Sequence, residues 1–181
     1  SVYEQTKDTS GYSSKRLAPP LFAPEELTAD YLFCSHEHGD HLDIASLPGL
    51  MQNGRTRLYT NRESARIALE AGIPADRVRA VERGMELDSG EFKAYTLTAQ
   101  HGELSPEAMG FIFDFGFTRI YYSGDTAYDL AALKPALNLK PEVALLPING
   151  EYGNLNAPEA ARLAGDLGAF ALVPHHFWTF P

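Results

Sequence analysis

Residues 35–43 read Ser-His-Glu-His-Gly-Asp-His-Leu-Asp, and three of the six histidines in this chain lie in this one stretch. His36 and His38 are two residues apart, so in an extended segment both imidazoles project to the same side and can bind one cation. A lone histidine on a surface loop is usually just solvated. This stretch is different, because burying several such groups without partners would be costly.

The second half of the stretch supplies ligands for another cation. Gly39 lets the chain turn, and Asp40 and His41 then face a position beside the first one. Two cations held close together form the kind of centre that many hydrolytic enzymes use. The stretch therefore predicts a site for two divalent metal ions.

The other candidate ligands follow predicted β-strands. Short apolar runs predict strands at residues 30–34, 57–59, 85–87, 91–97, 109–115, 118–122, 143–146 and 170–173. His101 and Asp125 each come a few residues after such a run, and His175 and His176 follow the last one. Loops at strand ends are where a rigid sheet presents catalytic groups, so we expect these side chains to complete the metal site.

The predicted ligands divide between two metals. The first metal takes His36, His38 and His101; the second takes Asp40, His41 and His176, with His175 as the alternative to His176; Asp125 bridges the two. Each metal keeps a position for water, whose pKa a bound cation lowers toward neutrality. Imidazole and carboxylate ligands suit Zn²⁺ or Mn²⁺, and Fe²⁺ fits them too. Asn149 and Asn154 follow the strand at 143–146 and are candidates to line the substrate side.

The bulk composition narrows the class of partner. A net charge of −9 argues against nucleic acid, because phosphate contacts need clustered Lys and Arg. A small anionic substrate still fits, since bound cations are the largest local charges. No apolar run approaches the ~20 residues that cross a membrane. Cys34 is the only cysteine, which excludes an intrachain disulfide and fits a reducing, cytoplasmic location. The sequence leaves a homo-oligomer open.

The order of predicted elements indicates an α+β fold in a single domain of residues 1–181. Residues 1–29 predict an irregular N-terminal arm, because Pro19 and Pro20 prevent a continuous helix. Helical patterns occupy residues 43–52, 61–71, 127–133 and 158–167. Hairpins in the middle and strand–helix alternation at both ends predict sheets covered by helices.

These residues, in this order, resemble the metallo-β-lactamase superfamily. The match consists of His36-x-His38-x-Asp40-His41, then His101, then Ser-Gly-Asp-Thr at 123–126, then a histidine after a final strand. Within the superfamily the chain is most similar to the branch that contains the L-ascorbate-6-phosphate lactonases. That likeness rests on Phe-Ala-Pro-Glu-Glu-Leu at 22–27, on His-Leu-Asp-Ile at 41–44 with Leu-Met-Gln-Asn at 50–53, and on Pro-His-His-Phe-Trp-Thr-Phe at 174–180.

The resemblance implies an αββα four-layer sandwich with a metal centre at one edge. It implies water attack on a lactone or phosphoester, with Asp40 as both metal ligand and proton acceptor, and it selects His176 over His175. The superfamily fold begins with a hairpin and continues after its last metal-binding histidine. Because nothing in this sequence corresponds to either feature, we expect the chain to lack part of the N-terminal hairpin and the C-terminal end.

Three functions compete on these observations. The first is a hydrolase acting on a phosphorylated sugar lactone or a similar small anionic compound. The second is a phosphodiesterase acting on nucleotide, RNA or phospholipid; the acidic balance disfavours RNA, and the absence of a basic amphipathic segment disfavours membranes. The third is a non-catalytic metal-binding protein. A closed structural site does not need this many carboxylates or an open position, which disfavours the third.

Overall fold

The computed structural model describes residues 5–7, 13–15 and 19–177. The chain forms two units, of which the first ends at Ala80 and the second runs from Val81 to Phe177. The elements of the first unit are β1 (Gln5–Lys7), β2 (Ser13–Lys15), β3 (Tyr31–Phe33), α1 (Leu47–Leu50), β4 (Arg57–Thr60), α2 (Arg62–Glu70) and β5 (Val78–Ala80). Each unit is built around its own sheet and its own apolar core.

In the first unit, β3, β4 and β5 form a parallel sheet in that order. Helix α2 begins after Asn61, whose side-chain oxygen accepts the N–H of Ser64 at 2.7 Å and so caps the helix. Cys34, Leu58 and Ala68 are among the buried residues that pack between sheet and helices. Because β3 and β4 run in the same direction, the loops that follow them leave the same edge of the sheet.

The second unit contains a six-stranded sheet with two helices. Its elements are β6 (Glu86–Asp88), β7 (Lys93–Thr98), β8 (Met109–Asp114), β9 (Arg119–Tyr122), α3 (Lys134–Leu139), β10 (Val143–Pro147), α4 (Ala157–Leu167) and β11 (Ala171–His175). The strands lie in the order β11-β10-β9-β8-β7-β6. Tyr121, Leu146 and Leu163, all fully buried, belong to the core of this unit. Asn156 caps α4 in a capping box with Glu159.

The direction of the strands decides where the functional loops emerge. Strands β9, β10 and β11 are mutually parallel, and β8 is antiparallel to both β7 and β9. Strand β7 therefore runs in the same direction as β9, β10 and β11. The loops that follow these four strands leave the sheet at one edge, and they carry His101, Asp125, Asn149 and His176.

Three sequence predictions about the fold are wrong. Residues 1–29 are not simply an irregular arm, because β1 pairs antiparallel with β2 and residues 24–26 form a 3-10 turn. An antiparallel pair thus precedes β3. That part of the N-terminal hairpin is missing stays a prediction. These two strands have three mostly polar residues each, so no apolar alternation marks them.

The other two wrong predictions placed the start of a helix too early in the sequence. No helix covers residues 127–133: the Asp129 carboxylate accepts the N–H groups of Ala131 and Ala132, and α3 starts only at Lys134. Likewise α1 begins at Leu47 rather than at residue 43. Proline lacks an N–H and fits only the first turn of a helix, and both helices have proline there, Pro135 and Pro48. The predicted strands, in contrast, are confirmed.

Candidate metal centre

The first ligand set, defined as His36, His38, Asp40 and His41, lies on the loop that follows β3. The N–H of Cys34 donates to the carbonyl of Tyr59 on β4 at 3.0 Å, which extends the strand pairing to the start of this loop. The N–H groups of His41 and Leu42 both donate to the carbonyl of His38, at 2.9 and 2.7 Å, and close a turn. Four candidate ligands are thus gathered on one turn by local backbone hydrogen bonds.

Donor atoms within the first ligand set lie close together. His36 Nε2 is 3.0 Å from His38 Nδ1, and the ring centroids of His36 and His41 are 4.1 Å apart. Asp40 Oδ2 is 3.7 Å from His41 Nε2, and the Asp40 side chain is 37% exposed. Two nitrogens at 3.0 Å suit adjacent positions around a cation with bonds of about 2.0–2.1 Å. The donor set therefore fits a divalent metal.

Two side chains that the sequence analysis missed support this loop. The Ser35 hydroxyl, in a residue 1% exposed, lies 2.9 Å from His36 Nδ1 and 3.3 Å from His41 Nδ1. The side-chain amide of Asn61 donates to Glu37 Oε2 at 3.2 Å, so the residue that caps α2 also holds the loop. The position of Ser35 directly before the histidine cluster was the one signal for its role.

The second ligand set, defined as His101, Asp125 and His176, lies at the edge of the six-stranded sheet. Asp125 Oδ2 is 3.7 Å from His101 Nε2 and 3.3 Å from His176 Nε2. His101 and Asp125 are each 3% exposed, whereas His176 is half-buried. One carboxylate oxygen is therefore shared between two imidazoles that come from the ends of two other strands. Imidazole and carboxylate donors at these separations again fit a divalent cation.

Hydrogen bonds fix the loops that carry His101 and Asp125 to each other and to the loop after β10. The N–H of Gln100 donates to Thr126 Oγ1 at 2.9 Å, and the N–H of Ala127 donates back to the carbonyl of Gln100 at 2.8 Å. The N–H of Leu155 donates to the carbonyl of Thr126 at 2.9 Å. The loops after β7, β9 and β10 thus form one assembly, with Asp125 at its centre. Gly124, at a φ of 60°, supplies the left-handed turn just before Asp125.

The backbone distinguishes the two C-terminal histidines. His175 is the last residue of β11, pairs with Pro147, and places its ring 5.5 Å from the ring of Tyr122. His176 has a φ of 58°, a left-handed conformation that is uncommon for residues other than glycine. Such conformations persist where the surroundings impose them, often at functional sites. His176 is also the one with a ring nitrogen beside Asp125, which supports it over His175 as the ligand.

The two asparagines predicted to face substrate follow β10, as expected, and of the two Asn149 is half-buried and Asn154 is buried. Asn154 is 6% exposed, and Asn149 forms an isolated backbone bridge with Asn156. The side-chain oxygen of Asn149 and both amide atoms of Asn154 are buried without a hydrogen-bond partner among the described residues. Their contact with substrate stays a prediction.

Cys34 is a small residue of the buried core in the first unit. Its thiol is buried and donates to the carbonyl of His36 at 3.0 Å. Burial raises the pKa of this thiol above its ordinary value, which disfavours the thiolate that a nucleophile or ligand needs.

Comparison with known proteins identifies the family. Residues 9–177 match the family model of the β-lactamase superfamily domain. The chain belongs to the β-lactamase superfamily. A UPF0173 metal-dependent hydrolase from Thermoplasma acidophilum is 30% identical over 162 residues, which cover 87% of this chain and 69% of that protein.

Solved structures of the superfamily share the fold. Isothiocyanate hydrolase from Delia radicum gut bacteria matches with a TM-score of 0.74 and 22% identity, over 91% of this chain and 69% of that one. A metallo-β-lactamase fold protein from Bacillus subtilis matches with a TM-score of 0.64 and 21% identity, over 86% and 68%. The predicted metallo-β-lactamase fold is therefore confirmed, and the class of metal-dependent hydrolase is supported.

The ascorbate-6-phosphate lactonase branch of this superfamily stays a prediction.

Among the described residues, none of the helices has the length and apolar character needed to span a bilayer.

Proposed function

We propose that this superfamily member is a hydrolase in which the two ligand sets together hold two divalent cations that promote attack of water on a small anionic ester. In this proposal both units belong to a single hydrolase domain, residues 1–181. The observation that carries it is the spacing of donors: within each ligand set, neighbouring nitrogen and oxygen donors lie 3.0 to 3.7 Å apart. Family membership supports joining the two sets into one centre.

The proposed assignment of ligands is the one that the sequence predicts. His36, His38 and His101 would hold the first cation, Asp40, His41 and His176 would hold the second, and Asp125 would serve both. Zn²⁺ and Mn²⁺ suit these donors, and Fe²⁺ fits them as well. When bound, the cations would lower the pKa of a water molecule and polarise the carbonyl group whose carbon that water attacks.

Asp40 is the residue we assign to proton transfer. The side chain of Asp40 is 37% exposed, whereas that of Asp125 is 4% exposed. Substrate and water can therefore reach the Asp40 carboxylate. The imidazole of His41 lies 3.7 Å from this carboxylate. Asp40 can accept the proton of the attacking water and return it to the leaving oxygen.

The substrate class follows from charge. With a net charge of −9, the protein attracts an anion only where cations outweigh the local carboxylates, which is at the metal centre. A lactone of a phosphorylated sugar combines an anionic group with a cyclic ester and is the substrate we favour. Asn149, which is half-buried, and Asn154, which is 6% exposed, are the proposed substrate contacts.

The first test is metal stoichiometry, measured by elemental analysis on protein purified without chelator or metal-affinity resin. We expect about two equivalents of Zn or Mn per chain. One equivalent or none after metal is added back would contradict the two-metal centre.

The second test is hydrolysis of a panel of sugar-phosphate lactones and phosphodiesters by the wild type and by Asp40→Asn. We expect lactone cleavage that falls about 10²- to 10⁴-fold in kcat in the variant, the usual contribution of a general base. Asp30→Asn is the matched control, since Asp30 forms an exposed ion pair with Arg55. Unchanged hydrolysis by Asp40→Asn with both metals still bound would refute the role of Asp40, and cleavage of phosphodiesters alone would favour the phosphodiesterase.

A further inference from the structure

The geometry around Ser35 carries an inference that rests on the proposed function and goes beyond it. Ser35 lies directly before the first ligand set, is 1% exposed, and its hydroxyl oxygen is within hydrogen-bond distance of two imidazoles. Those imidazoles, His36 and His41, are assigned to different cations. A single hydroxyl therefore contacts one ligand of each metal.

The ring atoms define which nitrogen each imidazole offers. His36 turns its Nε2 toward His38 Nδ1, at 3.0 Å, and its Nδ1 toward Ser35, at 2.9 Å. His41 turns its Nε2 toward Asp40 Oδ2, at 3.7 Å, and its Nδ1 toward Ser35, at 3.3 Å. In both rings Nε2 faces the fellow ligand, and Nδ1 faces the serine.

A neutral imidazole that binds a metal through Nε2 carries its proton on Nδ1. That N–H needs an acceptor, because partners of this kind fix the tautomer and orientation of metal-binding histidines. A serine hydroxyl oxygen has two acceptor lone pairs, enough for two such N–H groups. The ring centroids of His36 and His41 are 4.1 Å apart, so both rings can reach one oxygen.

We infer that Ser35 is a positioning residue shared by the two metal positions. Its hydroxyl oxygen accepts a hydrogen bond from Nδ1 of His36 and from Nδ1 of His41, and so presents Nε2 of both rings to the cations. Because one oxygen orients a ligand of each metal, loss of the hydroxyl weakens both positions rather than one.

The test compares Ser35→Thr with Ser35→Val. These variants add the same bulk, and only threonine keeps the hydroxyl. Zn²⁺ is titrated into metal-free protein, and its binding is measured by calorimetry. We expect Ser35→Thr to bind close to wild type and Ser35→Val to bind about 10- to 100-fold more weakly at both positions, the usual effect of losing such a partner. Thr56→Val is the control in the same unit, since it removes a buried hydroxyl that donates to the carbonyl of Ala29 at 2.6 Å. It should lower the melting temperature and leave Zn²⁺ affinity unchanged.

A second measurement needs no variant. In ¹⁵N-labelled wild type loaded with Zn²⁺, long-range ¹H–¹⁵N correlation spectra report the tautomer of each imidazole. We expect His36 and His41 both to carry the proton on Nδ1. Equal Zn²⁺ affinity of the threonine and valine variants, or a proton on Nε2 of either ring, overturns the inference while the proposed function stands. A wild type that binds no Zn²⁺ overturns both.

Discussion

The two ligand sets are built in different ways. The first is mainly local: its four residues come from one turn after β3, which the hydrogen bonds of His41 and Leu42 to His38 close. Two longer-range hydrogen bonds, Cys34 to Tyr59 and Asn61 to Glu37, join this turn to the rest of its unit. The second is long-range: His101, Asp125 and His176 follow three different strands, and their spacing depends on the pairing of β7 through β11. A short sequence motif can specify the first set, whereas the second exists only when the whole sheet has formed.

The largest expected effect tests the residue on which the second set depends. Asp125→Asn keeps the size of the side chain and removes the charge that lies beside two imidazoles. We expect metal affinity to fall by more than about 100-fold, beyond the effect of losing an outer partner. Elemental analysis after dialysis measures this as fewer than two equivalents.

The control for Asp125 lies at the opposite end of the same strands. Asp114→Asn breaks an ion pair with Arg119 at 2.7 Å and should leave the metal content unchanged. If Asp125→Asn retained two tightly bound metals, the long-range set would not be part of the centre.

A smaller effect comes from disturbing the sheet without touching a ligand. A Cβ at Gly110 of β8 would lie 3.0 Å from the carbonyl oxygens of Tyr122 and Ser123, directly before Gly124 and Asp125. These backbone oxygens cannot move without disturbing the strand pairing. Gly110→Ala should therefore lower the free energy of unfolding by about 1–3 kcal/mol. It should also weaken metal binding, since β9 would shift with its loop. Urea unfolding of the metal-free protein and Zn²⁺ titration measure the two effects.

Gly165→Ala is the matched control for Gly110→Ala. Gly165 lies in α4, and a Cβ added there would meet no atom within 4 Å outside its own helical backbone. The substitution should raise the free energy of unfolding by about 0.5–1 kcal/mol, because alanine favours the helix. A stable Gly110→Ala protein with wild-type metal affinity would show that the sheet tolerates this contact.

The smallest effect concerns the core beneath the second set. Tyr121 is fully buried, and its hydroxyl has no hydrogen-bond partner among the described residues. Burial raises the pKa of this phenol above its ordinary value of 10.0. The unfolded chain therefore releases the proton first as pH rises, so folding stability falls above about pH 10.

Tyr121→Phe should remove both the unpaired buried hydroxyl and the loss of stability above pH 10. We expect the variant to be more stable by about 1 kcal/mol at neutral pH, because no buried hydroxyl is left unpaired. Above pH 10 the difference from wild type should widen. Urea unfolding at several pH values measures it, and a less stable variant would mean that the hydroxyl does have a partner.

The sequence predicted well what depends on local pattern. Apolar runs located the strands of both main sheets except β5, which has three residues, one of them charged. The histidine spacing located the first ligand set. The capping box of Asn156 and Glu159 is a local pattern of the same kind, because its two partners are three residues apart.

What the sequence could not predict depends on contacts between distant residues. The left-handed backbone of His176 and the ring contact of Tyr122 with His175 arise from the sheet, so the residues alone left the two histidines as alternatives. The role of Ser35 depends on the orientation of two rings, which the motif does not specify. The burial of Asn149 and Asn154 follows from the course of the loop after β10.

The thiol of Cys34 provides a way to measure opening of the metal-binding turn in solution. It is the only cysteine, it is buried, and its hydrogen bond to the carbonyl of His36 ties it to the turn that carries the first ligand set. An alkylating reagent can reach it only after that turn opens. Its alkylation rate therefore reports how often the turn opens. Mass spectrometry measures that rate without any introduced label. Each variant described above can be followed with the same reagent.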